Sequence, residues 1–395
     1  MKYELMDPCQ NAQIKVIGVG GGGGNAVNHM SINGIDGVDF ICANTDAQAL
    51  TGINVDSVLQ IGGELTKGLG AGTNPEVGRQ AALDDRDRIE EVVEGSDMIF
   101  LTAGMGGGTG TGAISVIAEV AKDMGILTVA VVTKPFPFEG TKKMAVAEKG
   151  LDELSEHVDS LITIPNEKLL SVLGHNVSLV GAFNAANDVL LEAVRGISEL
   201  IISPGLINVD FADVKTVMSQ MGMAMMGAGS GSGENRARDA AEKAIACPLL
   251  EDINLQGARG ILVNISCQDL GMAEFNEIGK IVHEFAAEDA VIKIGTAVNP
   301  EMNDDIKVTV VATGLNDPRR ATASQVTSIR KRNGELNYET IRMPTYLRKE
   351  AAQQPQNPAG NEEHSENAAS FGAQSKKQMD LDYLDIPAFL RRQAD

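Results

Sequence analysis

The segment from Gly104 to Gly112, GMGGGTGTG, constrains the fold more than any other part of this chain. It follows an apolar run at 98–102, predicted as a buried strand, and precedes an amphipathic run at 113–124, predicted as a helix. Glycines at such a junction let backbone N–H groups approach an anion closely, and the helix N-terminus adds about half a positive charge. Thr109 and Thr111 offer hydroxyl groups to the same anion. The segment therefore predicts a phosphate-binding loop, and it contains no lysine.

A second glycine run lies near the start of the chain, between a predicted strand at 14–19 and a predicted helix at 25–31. The five glycines at 20–24, together with Gly18, match the G-x-G-x-x-G fingerprint of dinucleotide-binding enzymes, although a run of glycines satisfies many patterns. That fingerprint also needs an acid after the second strand, where this chain has Asp46. Asp46 suits a ribose contact and a turn cap equally, so both interpretations stay open.

A third glycine-rich segment, Gly68–Glu76, leads into another predicted helix. Asn74 suits the N-cap of that helix and Pro75 its first position. A single segment of this kind would be an ordinary connection between two elements. Three of them within the first 112 residues, each before a helix, favour one polyphosphate that is held from several sides.

Two common nucleotide-binding motifs are absent from the sequence. A P-loop needs Gly-Lys followed by Ser or Thr, but the only Gly-Lys pair, at 279–280, is followed by Ile281. The guanine motif Asn-Lys-x-Asp does not occur either. The chain is therefore predicted to differ from Ras-like and ABC-like NTPases.

The composition limits the classes of partner. With a formal net charge of −21, the chain repels nucleic acid and anionic lipid, so we expect no direct nucleic acid binding and no membrane insertion. The cysteines at 9, 42, 247 and 267 form no C-x-x-C pair, which indicates reduced thiols in a cytoplasmic protein. The first residues lack the apolar core of a signal peptide, and the longest largely apolar run, 126–132, is too short to span a bilayer.

Residues 12–178 alternate predicted strands and helices, after a flexible N-terminus at 1–11. This alternation is typical of a mostly parallel sheet with helices on both faces, a Rossmann-like α/β fold. The predicted strands are 14–19, 38–43, 57–61, 98–103, 127–133 and 160–164. Ligands of such sheets bind at the carboxyl ends of the strands, where the three glycine segments converge.

A long helix and a second domain are predicted to follow. In the run 179–203 the apolar side chains cover more than one face, which predicts a buried central helix between two domains. Residues 204–316 are predicted to form a smaller α+β domain. Its predicted strands are 222–228, 259–267, 291–298 and 306–314, and its predicted helices are 234–246 and 271–288.

The last part of the chain changes character. Residues 317–379 are rich in Gln, Asn, Ser, Glu, Pro and Ala and are predicted to be a disordered linker. Residues 380–395 regain apolar and aromatic side chains, which favours a docking peptide on a flexible spacer, with an idle tail as the alternative. The predicted partner-binding residues are Leu381, Ile386, Pro387, Phe389 and Leu390, with Arg391 and Arg392 modulating the contact.

Several motifs resemble, in order, those of the FtsZ family, the bacterial homologues of tubulin. They are GGGTGTG at Gly106–Gly112, GVGGGGGNAVNHM, NTDAQAL, GAGTNP, FPFEGTKKM, NVDFADVK and the terminal LDYLDIPAFLRRQ. The resemblance covers essentially the whole chain except the linker. It implies a GTP-binding and GTP-hydrolysing cytoskeletal protein that polymerises head to tail into protofilaments and forms the cytokinetic ring at the division site.

The resemblance also implies which residues contact the nucleotide. The phosphates and the ribose are expected to be bound by Gly21, Gly22, Gly23, Gly24 and Asn25. The β- and γ-phosphates are expected to be bound by Gly108, Thr109 and Gly110. The γ-phosphate is sensed by Ala71, Gly72 and Thr73, and the ribose region is met by Glu139 and Lys143. Phe183 stacks on guanine while Asn166 and Asn187 read its edge, and Asn44 and Asp46 complete the set. Lys143 stands where the family commonly has arginine, so it keeps the charge and loses the planar fork.

The residues proposed for catalysis lie in a different part of the sequence. From the residues alone, Asp210 resembles the N-cap of a helix and Asp213 a first-turn acid. The resemblance implies that Asn208, Asp210 and Asp213 reach the nucleotide of the next subunit, where the two aspartates position and polarise the attacking water. The active site would be completed between adjacent subunits, so hydrolysis would need both Mg²⁺ and assembly.

The resemblance further implies the ligands and partners. GTP and GDP are substrate and product, and Mg²⁺ binds through the phosphates. The partners are the chain itself, division regulators, and membrane-tethering adaptors of the FtsA and ZipA type at the terminal peptide; the expected location is the cytoplasm, concentrated at the midcell ring. Two other classes stay open: a Rossmann oxidoreductase, and a non-polymerising nucleotide-gated adaptor.

Overall fold

The computed structural model describes residues 12–173, 177–203, 205–219, 222–250, 258–287 and 289–315, which all belong to one compact unit. The predicted flexible N-terminus at 1–11, the linker at 317–379 and the docking peptide at 380–395 lie outside the described residues. So do the predicted partner-binding residues of that peptide. None of the described helices has the length and apolarity needed to cross a membrane.

The elements alternate as the sequence predicts. The strands are β1 (Ile14–Val19), β2 (Val38–Asn44), β3 (Ser57–Gln60), β4 (Met98–Gly104), β5 (Leu127–Lys134), β6 (Ser160–Pro165), β7 (Met223–Gly231), β8 (Gly260–Cys267), β9 (Val291–Val298) and β10 (Ile306–Leu315). The helices are α1 (Gly20–Asn33), α2 (Gly63–Thr66), α3 (Pro75–Asp84), α4 (Arg86–Val93), α5 (Thr109–Asp123), α6 (Thr141–His157), α7 (Asn166–Leu173), α8 (Leu179–Ile202), α9 (Phe211–Met218), α10 (Arg236–Ile245) and α11 (Met272–Phe285).

The strands form one ten-stranded sheet in the order β3-β2-β1-β4-β5-β6-β7-β10-β8-β9. The six strands of the first half are all parallel. A short parallel pairing of Leu161 and Ile162 with Met223 and Ala224 joins β6 to β7. Beyond it, β10 runs antiparallel to both β7 and β8, and β9 is parallel to β8. The predicted fold class, a mostly parallel α/β half followed by a smaller α+β half, is confirmed.

Both glycine-rich helix starts lie earlier than predicted. Helix α1 begins at Gly20 and not at 25, and α5 begins at Thr109 and not at 113. The glycines are there because the helix backbone packs directly on the sheet: a Cβ on Gly23 would lie 2.3 Å from the carbonyl oxygen of Thr102. The low helix propensity of glycine is thus overridden by a tertiary contact that no other residue permits.

The apolar side chains form separate clusters on the two faces of the sheet and in the second half. Val16, Met30 and Phe100 pack with the inner side of α8, while Ile17, Leu101 and Ile117 pack on the other face. A third cluster fills the second half. Helix α8 was predicted to be buried on nearly all sides, but it is buried only in part. Its first turns are exposed, as shown by Val180, which is 69% exposed, whereas Ile197 further along is completely buried. The exposed end borders the cavity described next.

Candidate nucleotide-binding site

A cavity of about 400 Å³ opens at the carboxyl ends of the parallel strands. Val19, Gly104 and Lys134 are the last residues of β1, β4 and β5, and all three line it. The strand order reverses direction between β1 and β4, which is where open α/β sheets bind their ligands. The cavity therefore occupies the position expected of a nucleotide site.

Most of the predicted nucleotide contacts line this cavity. They are Gly21, Gly22, Asn25, Gly72, Gly108, Thr109, Gly110, Glu139, Lys143, Asn166, Phe183 and Asn187. These residues come from separate glycine segments, from the 3₁₀ turn before α6, and from the starts of α6, α7 and α8. The fold thus brings together residues that are widely separated in sequence.

The glycine segments contact each other through their backbones. The amide of Gly108 donates to the carbonyl oxygen of Gly72 over 3.0 Å, and a Cβ on Gly108 would lie 2.7 Å from that same oxygen. By contrast, a Cβ on Gly21 or Gly107 would meet no atom of the described residues within 4 Å. The space in front of these two glycines is the cavity itself, so the missing side chains leave room for a ligand. The N-termini of α1 and α5 at this wall favour an anion.

The two threonines of the α5 start have different surroundings. The hydroxyl oxygens of Thr109 and Thr45 lie 2.6 Å apart, and Thr109 lines the cavity. The Thr111 hydroxyl accepts a hydrogen bond of 2.8 Å from the Gly106 amide and is buried. The prediction that Thr111 offers its hydroxyl to the anion is therefore wrong. Because α5 begins at Thr109, the side chain of Thr111 lies beneath the loop and closes it.

One wall of the cavity carries a carboxylate and a lysine. Glu139 accepts a 2.8 Å hydrogen bond from the Phe136 amide and forms an ion pair with Lys143. The lysine lies one helical turn after the glutamate, on α6. The pair holds the Glu139 carboxylate in place and offsets its charge at the edge of an anion-binding cavity.

Two further lining residues, Asn166 and Phe183, suit a base. The side-chain oxygen Oδ1 of Asn166 is buried and has no hydrogen-bond partner among the described residues, although Asn166 lines the cavity. A buried acceptor of this kind is costly unless a ligand donates to it, and the N–H edge of guanine supplies such donors. Phe183 packs edge-on against Phe136, with ring centroids 5.3 Å apart, and leaves part of its ring exposed. The residues present therefore fit a guanine nucleotide.

Several predicted contacts lie outside the cavity lining. Gly23 and Gly24 face the sheet, where Cβ atoms would collide with Thr102 and with the Cys42 sulfur. The side-chain oxygen of Asn44 accepts from the Asp46 amide. Ala71 and Thr73 flank Gly72, and of these three residues only Gly72 lines the cavity.

The turn-capping alternative for Asp46 is the one observed. Its Oδ1 accepts a 2.8 Å hydrogen bond from the amide of Gln48, and Asp46 is not among the residues that line the cavity. Thr133, Lys134 and Pro135 do line it and were missed from the sequence. The sequence could have predicted them, because they follow β5, and the carboxyl end of β5 lies beside that of β4 in a parallel sheet.

The predicted catalytic residues lie away from the cavity. Asp210 caps α9, its Oδ1 accepting a 2.7 Å hydrogen bond from the Asp213 amide. The carboxylate of Asp213 forms an ion pair of 2.7 Å with Lys293 of β9. The Asn208 side chain accepts from the Gly205 amide over 2.8 Å. None of these three predicted residues lines the cavity, so one chain does not bring them to its own nucleotide site.

A sequence profile described as "Tubulin/FtsZ family, GTPase domain" matches residues 13–174, and one described as "FtsZ family, C-terminal domain" matches residues 222–316. This chain belongs to the tubulin/FtsZ family. The "Cell division protein FtsZ" of Pseudomonas aeruginosa is 58% identical over 100% of both chains, and that of Coxiella burnetii is 59% identical over 97% of both.

A solved structure agrees with this assignment. The structure titled "FtsZ dimer, empty (M. jannaschii)" superposes with a TM-score of 0.74 at 43% identity, covering 78% of this chain and 89% of the other. The chain is therefore a GTPase of the tubulin/FtsZ family, a cell-division and cytoskeletal protein. The family match leaves no support for the oxidoreductase alternative that the glycine fingerprint had kept open.

Proposed function

We propose that this GTPase completes its active site between two subunits that are joined head to tail. One subunit binds GTP in the cavity, and the next supplies Asn208, Asp210 and Asp213. The observation that carries the proposal is the chemistry of the cavity wall. Of the described residues that line the cavity, Glu139 is the only carboxylate, and it is held by Lys143 and a backbone amide. A group that polarises the attacking water must then come from elsewhere.

The geometry of the Asp210 segment suits this role. Asp210 is the N-cap of α9 and Asp213 lies in its first turn, and both keep part of their side chains accessible. They are held by a backbone amide and by Lys293, so they project from a fixed platform. Two fixed carboxylates orient a water molecule with little loss of entropy when the subunits meet.

Mg²⁺ would bind through the phosphates of GTP. Among the described residues no three His, Cys, Asp or Glu side chains group together as a metal site. A carboxylate beside a triphosphate is repelled unless a cation lies between them, and Mg²⁺ supplies that charge when bound. The Gly110 amide and the positive end of α5 would then stabilise the negative charge of the transferred phosphoryl group, while the Gly108 amide keeps the Gly72 segment in place.

A contact of this kind uses two different surfaces of the chain. Such a heterologous contact gives an open filament when it does not close into a ring. The solved relative described as a dimer supports self-association in the family. GTP at the contact would favour assembly, and its hydrolysis would weaken the filament.

The trans site is tested by mixing two inactive variants. Asp213→Ala should abolish GTP turnover and leave GTP binding intact, because Asp213 lies outside its own cavity. Gly108→Ser should abolish GTP binding, because its Cβ would collide with Gly72. In a mixture of the two variants, the intact cavity of an Asp213→Ala subunit can meet the intact aspartates of a Gly108→Ser subunit. GTP turnover should therefore return in part. No return at any mixing ratio would contradict the proposal.

Assembly itself separates this function from that of a non-polymerising adaptor. Light scattering with GTP and Mg²⁺ should rise above a threshold protein concentration, whereas GDP should give no rise. An adaptor of the kind considered above would show no assembly at any concentration.

In the cell, we propose that the filaments form the cytokinetic ring at midcell in the cytoplasm. Leu381–Asp395 would dock on membrane-tethering adaptors of the FtsA and ZipA type, through its apolar residues and Arg391 and Arg392. Deleting this peptide should abolish adaptor binding and leave GTPase activity unchanged. An equal loss of GTPase activity would contradict a separate tether.

A further inference from the structure

Lys293 contacts one of the proposed catalytic carboxylates. Its Nζ lies 2.7 Å from Oδ1 of Asp213, and the two side chains are 35% and 38% exposed. Asp213 lies in the first turn of α9 and Lys293 in the edge strand β9, so the ion pair joins a helix to the sheet. Both groups are accessible to a neighbouring subunit.

Strand β9 also holds the loop that leads to α9. The Ile207 amide donates to Oγ1 of Thr296 over 2.9 Å, and the Thr296 amide donates to the Ile207 carbonyl oxygen over 3.0 Å. Gly295 lies under the same loop, where a Cβ would come within 2.7 Å of the Val209 side chain. The strand is therefore the platform of the whole segment, and Lys293 is the part of it that carries charge.

We propose that Lys293 is a positioning residue for Asp213, which fixes the carboxylate and offsets its charge as the triphosphate of the neighbour approaches. This rests on the proposed shared active site. The chain has a formal net charge of −21, so two further carboxylates facing a triphosphate add repulsion at a contact that must form. An exposed ion pair stabilises a free chain only slightly. Once the subunit contact excludes solvent, the same ion pair is screened less, so its contribution to the free energy of assembly is larger.

A matched control lies on the other face of the same strand. Helix α11 packs there, with Gly279 close to Ile294, and it carries Lys280. Lys280→Gln removes the same charge from the chain as Lys293→Gln. It does so on the side of β9 that does not contact Asp213, so it isolates the effect of position from the effect of net charge.

The first test measures the critical concentration for assembly and the GTP turnover per assembled subunit. Lys293→Gln should raise the critical concentration about threefold to tenfold, because a close charge pair within an interface couples strongly. It should also raise the Mg²⁺ concentration for half-maximal turnover. Lys293→Arg should restore both quantities, and Lys280→Gln should change neither. Wild-type values for Lys293→Gln, or equal shifts for both glutamine variants, would overturn the proposal.

A double-mutant cycle tests whether the lysine acts through the aspartate. Asp213→Asn removes the charge that Lys293 offsets, so adding Lys293→Gln to it should no longer raise the critical concentration. Additive effects would overturn the proposal. The single variant Asp213→Asn tests the shared active site separately, because normal turnover in that variant would remove the proposed function itself. Thermal unfolding and GDP binding of each free variant show that the fold and the cavity are intact.

Discussion

Gly112 of α5 lies so close to Pro75 of α3 that a Cβ on Gly112 would be 1.8 Å from the carbonyl oxygen of Pro75. The contact in the other direction is also too close for a side chain, since a Cβ on Gly78 would lie 2.4 Å from the carbonyl oxygen of Gly108. The two helices therefore cross backbone to backbone, next to the nucleotide cavity. The crossing keeps the segment at Gly72 against the start of α5, so it links stability to the shape of the site.

Gly112→Ala should lower the free energy of unfolding by about 1–3 kcal/mol, because the new methyl group forces the two helices apart. GTP binding should weaken with it, since the Gly72 segment moves with α3. Gly107→Ala is the matched control, because Gly107 lines the cavity and its Cβ would meet no atom within 4 Å in the part of the chain that the structure describes. That variant should keep its thermal stability without nucleotide and lose affinity for GTP. Equal melting temperatures for the two variants would contradict this account.

Asn166→Ala should separate base recognition from stability. The buried Oδ1 of Asn166 has no hydrogen-bond partner in the part of the chain that the structure describes, so its removal should not destabilise the nucleotide-free chain. Binding of GDP should weaken about tenfold or more, because a donor on guanine loses its acceptor. Titration calorimetry with GDP and with ADP checks this, since the preference for guanine should fall. A loss of stability without any change in base preference would point to a structural role.

The second half of the chain should show an acid-dependent contribution to stability. Arg236 donates to both carboxylate oxygens of Glu274, which together with the Gly271 amide holds the pKa of that carboxyl below its usual value. A depressed pKa in the folded state means that the stabilisation is complete above the unfolded pKa and is lost as pH falls through the folded pKa. Glu274→Gln should therefore cost about 1 kcal/mol at pH 7, and the difference from wild type should shrink as pH falls below about 4.3, the usual pKa of a glutamate side chain.

The matched control for this pair is Glu277→Gln. Glu277 pairs with Arg238, whose side chain is 58% exposed, so water already solvates that contact. Its removal should change the unfolding curve less than that of Glu274 at every pH. Urea unfolding at a series of pH values measures both variants, and a difference for Glu274→Gln that grows towards low pH would contradict the assignment.

The strands were predictable because buried parallel strands are continuous apolar runs, and all the predicted ones occur within a few residues of their expected bounds. The starts of α1 and α5 were not predictable, because glycine has a low helix propensity and a propensity scale does not include packing of the helix backbone against the sheet. Most of the candidate site followed from the glycine segments and the family motifs. The ion pair of Asp213 with Lys293 could not be predicted, because it depends on how β9 meets α9.

The reactivity of Cys42 gives a last prediction. Burial raises the pKa of the Cys42 thiol to about 11, so the thiolate is scarce at neutral pH and the sulfur is shielded by Gly24. Cys42→Ala should therefore leave thiol labelling of the native protein unchanged, at pH 7 and at pH 8. In denaturant, where all four cysteines of the chain are accessible, the same variant should lose one labelled thiol. A slower or smaller native reaction in Cys42→Ala would show that the α1–β2 contact opens on the time scale of labelling.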